Sequence, residues 1–236
     1  MTFPPINDKL SMLKYVNLYI GKDRWLKMKH LGKMKLQRVI SFLMVFVLVS
    51  SVFCIKADAS SLDYVYSYKL KSGSVANLTY YIDTTASQAL FAGAIDDAAA
   101  QWVTATAQNS TKAKVKLTRV YSASGATIVF KAKGTFPSWA SGVNGYTELY
   151  SGSTIVTNQV NPPTSSWNNC IVYLSTTLTP TTVKRVACHE IGHCLGLCHP
   201  TPPQGVSFTS IMYPTGATYA SNAPTSTDAA QIEKQY

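Results

Sequence analysis

The sequence predicts a single α+β domain, and three observations carry that reading. Short runs rich in β-branched and aromatic residues, "LTYYID" from Leu78, "ATIVFKA" from Ala126 and "CIVYLST" from Cys170, read as strands. An alanine-rich run with apolar residues four apart, at Leu90, Ala94, Ala98 and Trp102, reads as a helix with one buried stripe. A second helical pattern begins near Thr181, stops at Gly196, and has Val183, Val186, Cys188, Ile191 and Leu195 available to face a core.

Ahead of that domain lies a leader. The 236 residues are 46% hydrophobic and 14% charged, a globular composition, with a formal charge of +10. The charge is unevenly spread: residues 1–59 hold ten Lys or Arg against Asp8, Asp23 and Asp58. The basicity therefore belongs mainly to the leader, and no nucleic-acid partner is expected. Lys33, Lys35 and Arg38 precede an uncharged apolar run from Val39 to Ile55, and Ala57 and Ala59 then occupy the small-residue positions of an A-x-A cleavage site. Residues 1–59 thus read as an N-terminal extension plus a signal peptide cut after Ala59, with translation starting at Met1, Met28 or Met34. The competing reading is an uncleaved anchor, but Val39 to Ile55 spans only about 26 Å as a helix, against a hydrocarbon core of about 30 Å. The mature domain is residues 60–236, secreted and free of the membrane once cleaved.

Within it, "AKVKLTRVY" alternates Val115, Leu117 and Val120 with basic residues and reads as a strand, separated from "ATIVFKA" by the turn "SASGA". Residues 134–168, rich in Ser, Gly and Thr, read as long loops around one or two short strands, "STIVTNQV" foremost. The tail is loop, a tight "SIMYP" segment, more loop, and a short helix entered at Ser226 or Thr227. Lys112, Lys114, Lys116 and Arg119 read as a solvated strand face. Cys170, Cys188, Cys194 and Cys198, an even number in an exported chain, allow one or two disulfides in pairings the sequence does not choose.

The chemistry concentrates in "HEIGHCLGLCH", residues 189–199. On a helix, His189 and His193 point within about 40° of each other with about 6 Å of rise between them, so both imidazoles reach one ion. Glu190 is rotated by about 100°, out of the ligand position but able to hold a metal-bound water as general base. Gly196 takes the left-handed conformation that ends a helix, Pro200 blocks continuation, and the reversed chain offers His199 as third ligand. Three imidazoles with an open fourth position suit a catalytic zinc, whereas structural zinc sites fill all four. A lone HExxH arises by chance, and a helical histidine is commonly a plain surface or core residue. Here the pattern extends to H-E-x-x-H-x-x-G-x-x-H and uses every histidine after the leader.

"HEIGHCLGLCH" followed by "SIMYP" resembles the metzincin metallopeptidases, and among them the matrixins, especially small secreted bacterial members. The resemblance implies a twisted, mostly parallel five-stranded sheet with two large helices and a short C-terminal helix. It implies that Met212 forms a Met-turn beneath the zinc, and that Tyr213 and Pro214 line a substrate-specificity wall. It implies a zinc endopeptidase acting on protein or peptide substrates as a monomer, with a catalytically silent zinc scaffold or a cell-wall peptide hydrolase as alternatives. Calcium, bound by many matrixins through an acidic cluster, has no visible site between residues 134 and 176. No cysteine-switch propeptide is visible either.

Overall fold

The computed structural model describes residues 63–71, 75–109, 112–157, 162–201, 207–214, 217 and 220–236, all in a unit that begins at Ala59. The signal-peptide reading and Cys54 lie outside the described residues. Among those described, no helix is long and apolar enough to cross a membrane.

Among the described residues six strands form one sheet: β1 (Leu78–Ile82), β2 (Leu117–Val120), β3 (Ile128–Lys133), β4 (Gly145–Ser151), β5 (Thr154–Thr157) and β6 (Asn169–Ser175), in the order β2-β1-β3-β6-β4-β5. β1 is parallel to β2 and β3, and β3 is parallel to β6. β4 runs antiparallel to both β6 and β5. The sheet therefore has one strand more than the five expected. β4 and β5 form a hairpin whose two-residue turn places Gly152 at φ 65°, a conformation glycine adopts at no steric cost. β4 pairs with β6 along Gly145–Tyr150, whereas β5 reaches only Leu149–Ser151, so no strand pairs the outer edge of Gly145–Glu148 among the described residues.

The alanine-rich run forms two helices, α1 (Thr84–Gln88) and α2 (Ala92–Gln108). Asp83 caps α1 by accepting from Thr85 N–H. Between the helices Leu90 adopts φ 61° and is 82% exposed. The break resets the helical phase, so the buried stripe of α2 is Ile95, Ala98, Trp102 and Thr106; Leu90 points to solvent and Ala94 is only half-buried. A left-handed leucine carries a steric cost of about 1–2 kcal/mol, which asparagine largely avoids. Leu90→Asn is expected to stabilise the protein by about 0.5–1 kcal/mol, read from its urea midpoint. A drop in midpoint would show that the leucine packs against something in solution.

Helix α3 (Pro180–Cys194) lies against α2, β4 and β6, and α4 (Ser226–Gln235) closes the chain. Trp102 and Trp167, both fully buried, anchor α3 by donating their indole N–H to Cys188 O at 2.8 Å and Cys194 O at 3.1 Å. The four cysteines are free thiols: no disulfide joins them. Cys194 touches Cys170 across the α3–β6 interface, while Cys188 faces Ala98 O on α2, at 3.9 Å. Burial pushes the Cys188 and Cys194 thiols well up, which makes them inert packing groups. In the basic run, Lys114 donates to Thr106 O and Ala107 O at the end of α2, and Arg119 pairs with Asp96 at 2.7 Å.

Candidate metal centre

Helix α3 is bounded by local chemistry at both ends. Thr179 accepts from Thr182 N–H, and Pro180 opens the first turn, where no N–H is needed. At the other end Gly196 sits at φ 98°, Leu197 N–H donates to Gly192 O at 2.9 Å, and Gly196 N–H donates to His193 O at 3.0 Å. These two bonds are the Schellman closure. The closure reverses the chain so that His199 returns to the face that carries His189 and His193.

The three Nε2 atoms converge. His189 Nε2 lies 3.1 Å from His193 Nε2 and 3.1 Å from His199 Nε2, and the three ligand atoms all lie within 4.8 Å of one another. Each buried imidazole has its other nitrogen held by a carbonyl: His189 Nδ1–H donates to Ile211 O at 2.8 Å, and His193 Nδ1–H donates to Leu197 O at 2.8 Å. With the proton on Nδ1, each Nε2 presents a lone pair. Desolvation favours the neutral form of all three histidines, at buried His189, where it pulls the imidazole down to about 3, at buried His193 and at the more exposed His199. Lone pairs facing one another at 3.1 Å repel unless a cation lies between them. Nitrogens about 2.0–2.1 Å from a tetrahedral zinc stand about 3.3 Å apart, so the donor set fits that ion. Among the described residues this is the one such cluster that could hold a metal.

Glu190 is 3% exposed and faces β4, where Thr147 Oγ1–H donates to its Oε2 at 2.7 Å. Space for the carboxylate is kept by Gly145: a Cβ there would stand 2.7 Å from Val186 Cγ1 and 3.3 Å from Glu190 Oε1. A cleft of about 220 Å³ opens beside this group, lined among others by Val143, Asn144, Arg185, Glu190, His199 and Pro214. Arg185, one of the lining residues, donates from Nη2 to Tyr213 O and from Nε to Ser221 O, both at 3.1 Å. Of the residues expected to form the wall, Pro214 lines the cleft. Tyr213 is buried behind it with its ring 5.5 Å from that of Phe208.

Met212 is fully buried, and its sulfur lies against Gly192, the residue just before His193, where any Cβ would overlap it. Gly192→Ala is expected to destabilise the protein by about 1–3 kcal/mol through overpacking. In the double variant with Met212→Ala the two costs should sum to less than additive, and strictly additive costs in urea denaturation would place the two positions apart.

Beneath Met212, Asp228 is fully buried and gathers five bonds. Its Oδ1 accepts from Tyr64 at 2.8 Å and Ser210 at 2.5 Å; its Oδ2 accepts from Ile211 N–H at 3.2 Å and from Thr225 N–H and Oγ1–H at 2.7 and 2.8 Å. Sequence reading missed Asp228, Thr147, Gly145 and Arg185 as contributors to the site. Only Asp228 left a signal, the T-x-x-D capping box at Thr225.

Comparison with known proteins follows the same residues. The family model described as Matrixin, a peptidase family, matches residues 71–236. No curated protein sequence matches the chain. Among solved structures, a chain from the GM1-bound form of the ECX AB5 holotoxin is similar at 12% identity and a TM-score of 0.40, covering 67% of this chain and 79% of that one. That likeness is too slight to carry an argument.

Proposed function

Given that the chain belongs to the matrixin family, we propose that it is a secreted zinc endopeptidase in which His189, His193 and His199 hold the metal and Glu190 is the catalytic carboxylate. The observation that carries this reading is the convergence of three Nε2 lone pairs beside a buried carboxylate that borders an open cleft. When bound, zinc supplies a Lewis acid that polarises a carbonyl oxygen and acidifies a water.

The chain's own residues supply the rest. Glu190 takes a proton from the attacking water and delivers it to the leaving amine nitrogen, so one group serves as base and then as acid. Thr147 fixes Oε2, which holds the carboxylate in one rotamer for both transfers. The outer edge of β4 from Gly145 to Glu148 offers main-chain donors and acceptors to an extended peptide, and the cleft lined by Arg185 takes one side chain. Export rests on the order of the leader: basic residues, apolar run, A-x-A.

The full chain should be incubated with a mixed peptide library, with casein and with purified peptidoglycan, and the products mapped by mass spectrometry. New termini inside the peptides and casein are expected. Cleavage confined to peptidoglycan would reassign the substrate to cell-wall crosslinks, and no cleavage by zinc-loaded protein would favour a silent scaffold.

A further inference from the structure

The family match begins at residue 71, yet the residues just before it are threaded into the metal centre. Val65 forms an antiparallel bridge with Leu197, Tyr66 N–H donates to Gly196 O at 2.8 Å, and Cys198 N–H donates to Tyr64 O at 2.8 Å. This segment therefore splints the loop between the second and third histidines. Gln235 Nε2–H donates to Tyr66 O at 3.2 Å and fixes it from the other side.

Tyr66 then reaches the second histidine itself. Its Oη lies 3.3 Å from His193 Nδ1, and its ring stacks on the imidazole with centroids 6.3 Å apart at 28°. The same ring meets Trp167 edge-on at 6.1 Å and 85°, which prevents it from swinging away. The terminal torsion of a histidine is broad, so the direction of Nε2 is set by whatever holds the ring and its Nδ1–H. His193 has two such acceptors, Leu197 O at 2.8 Å and the phenol oxygen.

We propose that Tyr66 is a positioning residue of the metal centre: its ring and phenol oxygen hold the His193 imidazole in the rotation that aims Nε2 at the point shared with His189 and His199. The inference rests on the zinc reading above. An oxygen accepting from Nδ1–H also makes Nε2 a stronger donor, and loss of such an outer partner typically weakens metal binding about 10–100-fold. At 3.3 Å, beside a shorter bond to Leu197 O, the lower end applies.

Zinc affinity of the full chain should be measured by competition with a chromophoric chelator for wild type, Tyr66→Phe and Tyr66→Ala, with the Tm of each metal-free protein beside it. Tyr66→Phe keeps the stacked ring and loses only the oxygen. It is expected to weaken zinc about ten-fold with no change in metal-free Tm, and to shift the visible absorption of the cobalt-substituted protein. Tyr66→Ala should weaken zinc further and lower the Tm. Wild-type zinc affinity in Tyr66→Phe would overturn the proposal while leaving the zinc reading intact. A wild type that binds no zinc would overturn both.

Discussion

Glu190→Gln is expected to lower peptide-bond hydrolysis by about 10²–10⁴-fold, with zinc content and stability close to wild type. The amide fills the same volume in a site where Gly145 leaves no slack, and its oxygen can still accept from Thr147. What it lacks is the capacity to take a proton at neutral pH and return it. The loss should fall on kcat, because the metal ligands are untouched and the isosteric amide keeps the shape of the cleft wall that Glu190 forms. A variant that keeps full turnover would remove Glu190 from the mechanism, and one that loses zinc would show that the residue is structural.

Asp228→Ala should be the most damaging substitution away from the histidines, costing about 3–5 kcal/mol in urea denaturation. It strips the acceptor from Tyr64 Oη, Ser210 Oγ, Ile211 N and Thr225 N at a fully buried position. Native domains hold only about 5–15 kcal/mol in total, so the variant would sit near the folding threshold. The damage also reaches the metal. Asp228 holds Ile211 by its N–H, and Ile211 holds His189 by its carbonyl. Weaker zinc binding is therefore expected along with lower stability, and the milder Asp228→Asn should show both effects in smaller measure. Unchanged zinc affinity in a clearly destabilised Asp228→Asn would uncouple the turn from the ligand.

The metal helix was legible because its determinants are local. Ligand spacing follows from helix geometry, and Gly196 and Pro200 mark the reversal that delivers His199. The residues that tune those ligands come from far along the chain: Thr147 lies 43 positions from Glu190, and Tyr66 lies 127 positions from His193. No periodicity encodes such pairings. The break before α2 was equally silent, since Leu90 is no helix breaker and sits in a conformation leucine seldom adopts. Of the one or two strands expected within residues 134–168, β4 was not located, for a different reason. Gly145, Tyr146 and Thr147 are buried in succession, by α3 on one side and by the Phe136, Trp139 and Tyr173 rings on the other, which erases the alternation that marks a half-exposed strand.

The most direct test of the central claim is zinc stoichiometry and peptide cleavage measured on one preparation of the full chain, before chelation, after it, and after zinc is restored. One zinc per chain, with cleavage that disappears on chelation and returns with zinc, is the result expected from three converging imidazoles. Cleavage that persists in metal-free protein would contradict it.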